Sequence, residues 1–189
     1  MVDPTKITKF DRTEAELQEL ILFCICVAGK SALQQSAKLE AFLQALPGSG
    51  GQLPFDKIKN SKDTYVEYLK QVKMGQYTRI GKAIDQLVFC DLDLKTCSVE
   101  RLETIKGIGP KTARFFILHT RKDQRLGVLD THILSWMREL GYKTPKSTPP
   151  LPKYRELEKI FLTEADKRKK DPCTLDLEIW NARHRRINQ

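Results

Sequence analysis

What most constrains the fold of this chain is the period of its apolar residues, which is helical from end to end. Leu17, Leu20, Ile21, Cys24 and Ala28 follow a 3.6-residue stripe behind Thr13 and Glu16, which have the spacing of a capping box. Residues 20 to 28 are apolar on every side, so this helix is expected at the centre of a core. Ser31 and Gln34 form a second box-like pair, ahead of a helix with Leu39, Phe42, Leu43 and Leu46 on one face. Pro47 to Gly51 ends that helix as a linker. Further helices are expected from Thr64 to Gly75, through Ile80, Ala83, Ile84 and Leu87, from Ser98 through Ile105, and after Gly109. Asp130 reads as the N-cap of another, with Ile133, Trp136, Met137 and Leu140 buried and Gly141 closing it. Beyond the proline-rich stretch 144–153, two more run around Leu157, Ile160 and Phe161 and over 175–186 with Trp180. No alternating strand pattern competes. The fold class is all-α.

Composition narrows the function classes. A chain of 189 residues with 40% hydrophobic and 30% charged residues can bury a core and is not a disordered tail. Its longest apolar run, Leu20 to Ala28, has nine residues, against the roughly 20 that a membrane span needs. Glu14, Glu16 and Glu19 precede that run, which is unlike a signal peptide. No membrane partner is expected, and the reading is intracellular: cytoplasm or nucleoid, or the nucleus of a eukaryote. The five cysteines (Cys24, Cys26, Cys90, Cys97, Cys173) include no Cys-x-x-Cys pair, and His119, His132 and His184 are scattered. No metal site is therefore expected. Lys and Arg number 33 against 24 Asp and Glu, a net charge of +9. Charge alone does not name a ligand, and the clusters 167–170 and 183–186 read as solvated helix faces.

The informative segment is Ile105-Lys106-Gly107-Ile108-Gly109-Pro110-Lys111. A helix ends, a Gly-x-Gly turn follows, and Pro110 stands where the first residue of the next helix belongs. Glycines leave backbone N–H groups uncovered, and with the free donors of a helix N-terminus these can hold a phosphate whatever the base sequence. An αα-corner with glycines for steric reasons would read the same way. Lys111 opposes the positive end of the helix dipole, a local rule broken in a way that suggests a site. A positive field and burial disfavour the ammonium form, and a neutral amine is what attack on a sugar carbon requires. Lys111 reaching a phosphate is the other reading. Nineteen residues on, Asp130 stands in Val128-Leu129-Asp130-Thr131-His132-Ile133, either as a helix cap or as a cap whose carboxylate also serves chemistry.

This segment resembles the signature of the helix-hairpin-helix DNA glycosylase superfamily, in which a Gly-x-Gly-x-Lys hairpin precedes a catalytic aspartate, often within Val-Asp-Thr-His, by about twenty residues. Gly107, Gly109, Lys111, Asp130, Thr131 and His132 match it. The resemblance implies a two-lobed α-helical fold with the active site in the inter-lobe cleft. One lobe would span 18–132, with the hairpin at about 99–120, and the other 1–17 plus 133–189. It implies double-stranded DNA containing a damaged base as the partner of a monomer, and extrusion of the target nucleotide. Lys111 would attack C1′, the base would leave, and the Schiff base would permit β-elimination, making the enzyme a bifunctional glycosylase and AP lyase. Asp130 would stabilise charge on the sugar and assist proton transfer. Contacts to DNA fall on Lys106, Gly107, Ile108 and Gly109, with Lys30 and Gln34 near the turn where relatives carry a wedge, and Ser31 and Gln35 as further candidates there. Phe115 and Ser31 are the base-pocket candidates. An oxidised base is expected, with 8-oxoguanine ahead because short relatives without a cluster include 8-oxoguanine enzymes. No iron–sulfur cluster or other cofactor is expected, since only Cys173 lies where relatives place four cysteines. Two alternatives stand: a monofunctional glycosylase with Lys111 idle, and a non-catalytic hairpin module that binds DNA.

Overall fold

The computed structural model describes residues 2–90 and 92–187, with side chains as far as Arg183; the rest of the 183–186 basic cluster lies outside the described side chains. Ten helices and no strand occur among the described residues. They fall into two compact units, Met1–Gly109 and Pro110–Gln189. This boundary lies inside the 18–132 span that the sequence reading assigns to one lobe.

The first unit is built on α1 (Glu14–Val27), which packs against α2 (Ala32–Ala45), α3 (Pro54–Asn60) and α5 (Tyr77–Phe89). Helices α4 (Tyr65–Gln71) and α6 (Val99–Glu103) complete it. The α1 capping box is present: the Glu16 N–H donates to Thr13 Oγ1 at 3.3 Å and the Thr13 N–H to Glu16 Oε2 at 2.7 Å. Leu20, Ile21, Leu22, Ile25 and Cys26 are fully buried, as an all-round apolar helix requires. The residues ahead of α1 also belong here, because Val2 and Ile7 are buried and the Ser36 hydroxyl bonds to the Val2 carbonyl.

The second box-like pair is corrected. Ser31 has extended N-cap backbone but makes no side-chain cap bond, and Gln34 is exposed, so α2 is held by Leu39, Phe42 and Leu46 rather than by its cap. Thr64 likewise makes no cap bond to α4, its hydroxyl turning back to the Ser61 carbonyl at 3.4 Å. Helix α3 was not anticipated: about two turns of mostly polar letters show too little periodicity, although Phe55 and Ile58 are buried. Ile80, Ala83, Ile84 and Leu87 do form the buried face of α5, and Ser98 Oγ caps α6 by accepting from the Arg101 N–H at 3.1 Å.

The second unit comprises α7 (Pro110–Thr120), α8 (Thr131–Glu139), α9 (Leu151–Lys167) and α10 (Pro172–Ile187). Helix α10 packs against the other three. Leu134, Met137, Tyr154 and Phe161 are wholly buried in its core. Gly141, at φ +90, closes α8 in a Schellman motif: the Tyr142 N–H donates to the Met137 carbonyl at 3.0 Å and the Gly141 N–H to that of Arg138 at 2.9 Å. Leu140, expected on the buried face, is 40% exposed, because it is the C-cap and the chain turns away there.

Candidate active site

The turn after α6 is shaped by two glycines for different reasons. Gly107 has φ +90, and a Cβ there would stand 3.1 Å from that of Ala83, so conformation and close packing both demand glycine. Gly109 lacks a positive φ, and a Cβ on it would meet nothing within 4 Å. Its backbone faces open space. The Ile108 side chain is buried and its N–H donates to the Ile105 carbonyl at 3.0 Å, anchoring the turn. Lys106 keeps an exposed side chain while its N–H donates to Gln86 Oε1 at 2.6 Å. What the turn offers a ligand is backbone at Gly109 and the first donors of α7, whose N–H groups have no intrahelical acceptor.

Helix α7 carries a ladder on one face. Lys111, Phe115 and His119 recur every four residues and so project to the same side. The Lys111 ammonium lies 4.8 Å from the Phe115 ring centroid, and the Phe115 and His119 rings are 4.6 Å apart at 57°. At the foot, His119 Nε2 is 3.3 Å from Asp176 Oδ2 and its Nδ1 is 3.4 Å from Cys173 Sγ, both on α10. The imidazole is wholly buried. Burial works against its charge, but the bonds to Asp176 and Cys173 outweigh that and raise its pKa to about 9. Burial pushes the Asp176 carboxyl above its ordinary value, His119 opposes the shift, and the charges of Asp130 and Lys111 both reach it.

Asp130 is the N-cap of α8. Its Oδ1 accepts from the N–H groups of His132 at 2.8 Å and Ile133 at 2.9 Å. Among the described residues no hydrogen bond reaches Oδ2. The strand of loop that delivers Asp130 is pinned from α9 and α7. Glu158 Oε1 accepts from the Gly127 N–H at 2.9 Å and from Arg114 Nε at 2.8 Å. The Tyr154 hydroxyl donates to the Gly127 carbonyl at 2.7 Å and accepts from the Leu129 N–H at 2.9 Å. The Arg114 guanidinium also lies 4.7 Å from the Tyr154 ring centroid, so the helix of Lys111 and the loop of Asp130 share one buried network.

In the second unit Lys111 lies over the Phe115 ring, and the charges of Lys111 and Asp130 each reach Asp176. Lys30, Ser31, Gln34 and the turn residues Lys106 to Gly109 belong to the first unit. There Lys30 Nζ donates to the Met74 carbonyl at 2.6 Å, and burial lowers its pKa, so this amine is already engaged. Ser31 and Gln34 are exposed, whereas Gln35 is only 2% exposed and is too deep to act as a wedge. Phe115 is half-buried and packs against Leu118, Val128 and Cys173. Sequence reasoning missed His119, Asp176, Arg114, Glu158 and Tyr154. The i, i+4, i+8 spacing of Lys111, Phe115 and His119 was the one available signal.

No protein-family model matches the chain. In the solved structures, the crystal structure of 8-oxoguanine DNA glycosylase from Methanocaldococcus jannaschii is similar, with a TM-score of 0.63 and 23% sequence identity. The match covers 94% of this chain and 83% of that one. The shared architecture includes the all-α composition and runs through both units. The chain has the helix-hairpin-helix DNA glycosylase fold.

Proposed function

We infer that the protein is a DNA glycosylase that excises a damaged base with Lys111 as nucleophile and then cleaves the strand as an AP lyase. The observation that supports this reading is the position of Lys111 in the first turn of α7, directly after an open turn, with its charge and that of Asp130 both reaching the buried Asp176 carboxyl. Phosphate binding alone needs neither carboxylate, which weighs against a non-catalytic hairpin module.

The Gly109 backbone and the α7 N-terminus hold a phosphate beside the extruded nucleotide, which must leave the stack for its C1′ to be reached. The neutral amine forms a bond to C1′ as the bond to the base nitrogen breaks, and the departing base takes the electron pair and a proton. Asp130, held by its two backbone bonds, faces the positive charge developing on the sugar and accepts the proton that the amine loses. Opening of the sugar leaves an imine at C1′. Loss of a C2′ proton then expels the 3′ phosphate. The fold neighbour acts on 8-oxoguanine, and this lesion is the substrate we assign first. The reaction draws on no metal or cluster, because every step is supplied by an amine and carboxylates. Duplex DNA is the partner and a monomer the working form. The compartment is intracellular.

The test is a panel of duplexes, each with one lesion, scored separately for base release and nicking, with borohydride added to trap the imine. Wild type should form a covalent adduct with the 8-oxoguanine duplex, and Lys111→Gln should lose the adduct while retaining most DNA affinity. Base release without trapping would make water the nucleophile and the enzyme monofunctional. Trapping that persists in Lys111→Gln would assign the chemistry to another amine.

A further inference from the structure

Arg114 and Glu158 form an ion pair in a place where an ion pair does little for stability. Both are almost wholly buried, with side chains 6% and 11% exposed. Taking two charges out of water costs as much as their attraction restores, and apolar side chains of the same volume would hold the core at least as well. What the pair supplies that apolar packing cannot is a fixed set of bonds. Glu158 Oε1 alone takes two of them, from Arg114 Nε at 2.8 Å and from the Gly127 N–H at 2.9 Å. The donors belong to different elements, α7 and the loop that leads into α8, and they meet on one oxygen atom. Gly127 approaches so closely only because it has no side chain, since a Cβ there would stand 3.3 Å from Glu158 Cγ. Arg114 also reaches back along its own helix, its Nη1 donating to the Pro110 carbonyl at 3.2 Å. Pro110 is the residue before Lys111, and Gly127 lies three residues before Asp130. One turn earlier on α9, Tyr154 faces the same way as Glu158, carries the guanidinium on its ring and holds the Gly127 carbonyl.

We propose that Arg114 and Glu158 are positioning residues, a clasp that sets the first turn of α7, with Lys111, against the residue that caps α8, Asp130. This deepens the glycosylase reading and rests on it. Helices α7 and α8 each pack on α10, and the chain between them, residues 121–129, is exposed around Lys122 and Asp123. The clasp joins the two helix starts directly, from the Pro110 carbonyl through Arg114 and Glu158 to the Gly127 N–H. Neither residue is a reacting group; each acts through backbone next to one that is. An amine that must meet a sugar carbon beside a carboxylate is sensitive to such placement, because about 1 Å of misplacement can cost roughly a hundredfold in rate.

Two variants separate placement from charge and from bulk. In Arg114→Met/Glu158→Gln no charge of the pair is left in the interior, methionine fills the guanidinium's place on Tyr154, and glutamine still offers an oxygen to the Gly127 N–H. The core is kept and the clasp is open on the α7 side. In Glu158→Gln one amide oxygen can still accept from both Arg114 and Gly127, so the charge is lost and the clasp stays. Each variant is followed on the 8-oxoguanine duplex for single-turnover base release, borohydride trapping and DNA affinity, and in urea for stability. The double variant should release and trap more slowly by roughly tenfold or more, with affinity changed by less than about twofold. Glu158→Gln, less stable because a buried guanidinium has lost its counter-charge, should react within about threefold of the parent. A double variant that reacts at the parental rate overturns the proposal. So does a folded Glu158→Gln as slow as the double variant, since charge and not placement would then govern the rate. The variants are judged separately, so misfolding of one leaves the other decisive. The backbone is read without DNA: the amide resonances of Lys111 and Thr131 should move together in the double variant and keep their places in Glu158→Gln. Amides that stay put in both overturn the clasp. Amides that move, with no base release from any lesion in wild type, keep the clasp and remove only the glycosylase reading.

Discussion

Asp130 caps α8 and, in the proposed mechanism, also serves the chemistry, and the two roles can be pulled apart at the level of a single atom. Asn replaces the carboxylate but keeps an oxygen for the His132 and Ile133 N–H groups. Asp130→Asn should therefore unfold within about 1 kcal/mol of the parent in a urea titration. Base release should fall by roughly a hundredfold or more, because the charge opposite the sugar is gone. Near-parental turnover would reduce Asp130 to a cap. The two hairpin glycines separate in the same way. Gly107→Ala forces a side chain into φ +90 against Ala83 and should cost roughly 1–2 kcal/mol of stability. Gly109→Ala, with space around it, should melt with the parent and weaken binding to damaged and undamaged duplexes alike. The sequence reading expects one effect from both glycines; what distinguishes them is a contact with Ala83, far away in the chain and invisible in the motif.

Helix ends show where local letters suffice and where they do not. Thr13 and Glu16 form their box because both partners sit within one turn and nothing competes. Ser31 and Gln34 have the same spacing without the bond, since burial of Leu39 and Phe42 already places α2. The glycine turn and the Asp130 cap were legible for the same local reason. His119 and Asp176 lie 57 positions apart, and Glu158 meets Arg114 across 44, so no window of sequence could pair them. The network on the Asp130 loop has a measurable share in the site. Tyr154→Phe leaves the Gly127 carbonyl and the Leu129 N–H without their partner in the interior and should cost about 1–3 kcal/mol. Because Leu129 precedes Asp130, kcat should fall while KM changes little. Stability lost with kcat intact would confine Tyr154 to the core.

For the molecule as a whole, two charge clusters, each built on a buried residue, predict how folding responds to pH. Glu164 is held down to about 2 by Lys167, then Arg168, then the Tyr142 hydroxyl. A depressed carboxyl contributes stability above its unfolded value of 4.5, and this is lost as pH falls toward about 2. His119 works on the opposite flank. Its raised pKa contributes stability below 6.5 that is lost as pH rises through about 9. Melting temperature should thus decline on both sides of neutrality. Glu164→Gln should flatten the acid limb alone, as read by calorimetry across the series; an unchanged acid limb would refute the assignment. The net charge of +9 adds a dependence that is not about folding, because affinity for any duplex should fall steeply with salt as counterions are released.

Gly127 is clamped on both backbone groups, and a Cβ on it would stand 3.0 Å from the Phe161 ring. A few residues earlier, Lys122 and Asp123 are exposed, and the chain turns through a left-handed Asp123. The connection between α7 and α8 therefore has a slack half and a measured half. Lengths can drift among descendants of this gene around Lys122 to Gln124, where an extra residue only enlarges a surface bend. From Gly127 to Asp130 the count of residues is itself part of the candidate site, since one more peptide would carry the carboxylate off the end of its helix while leaving every motif letter in place.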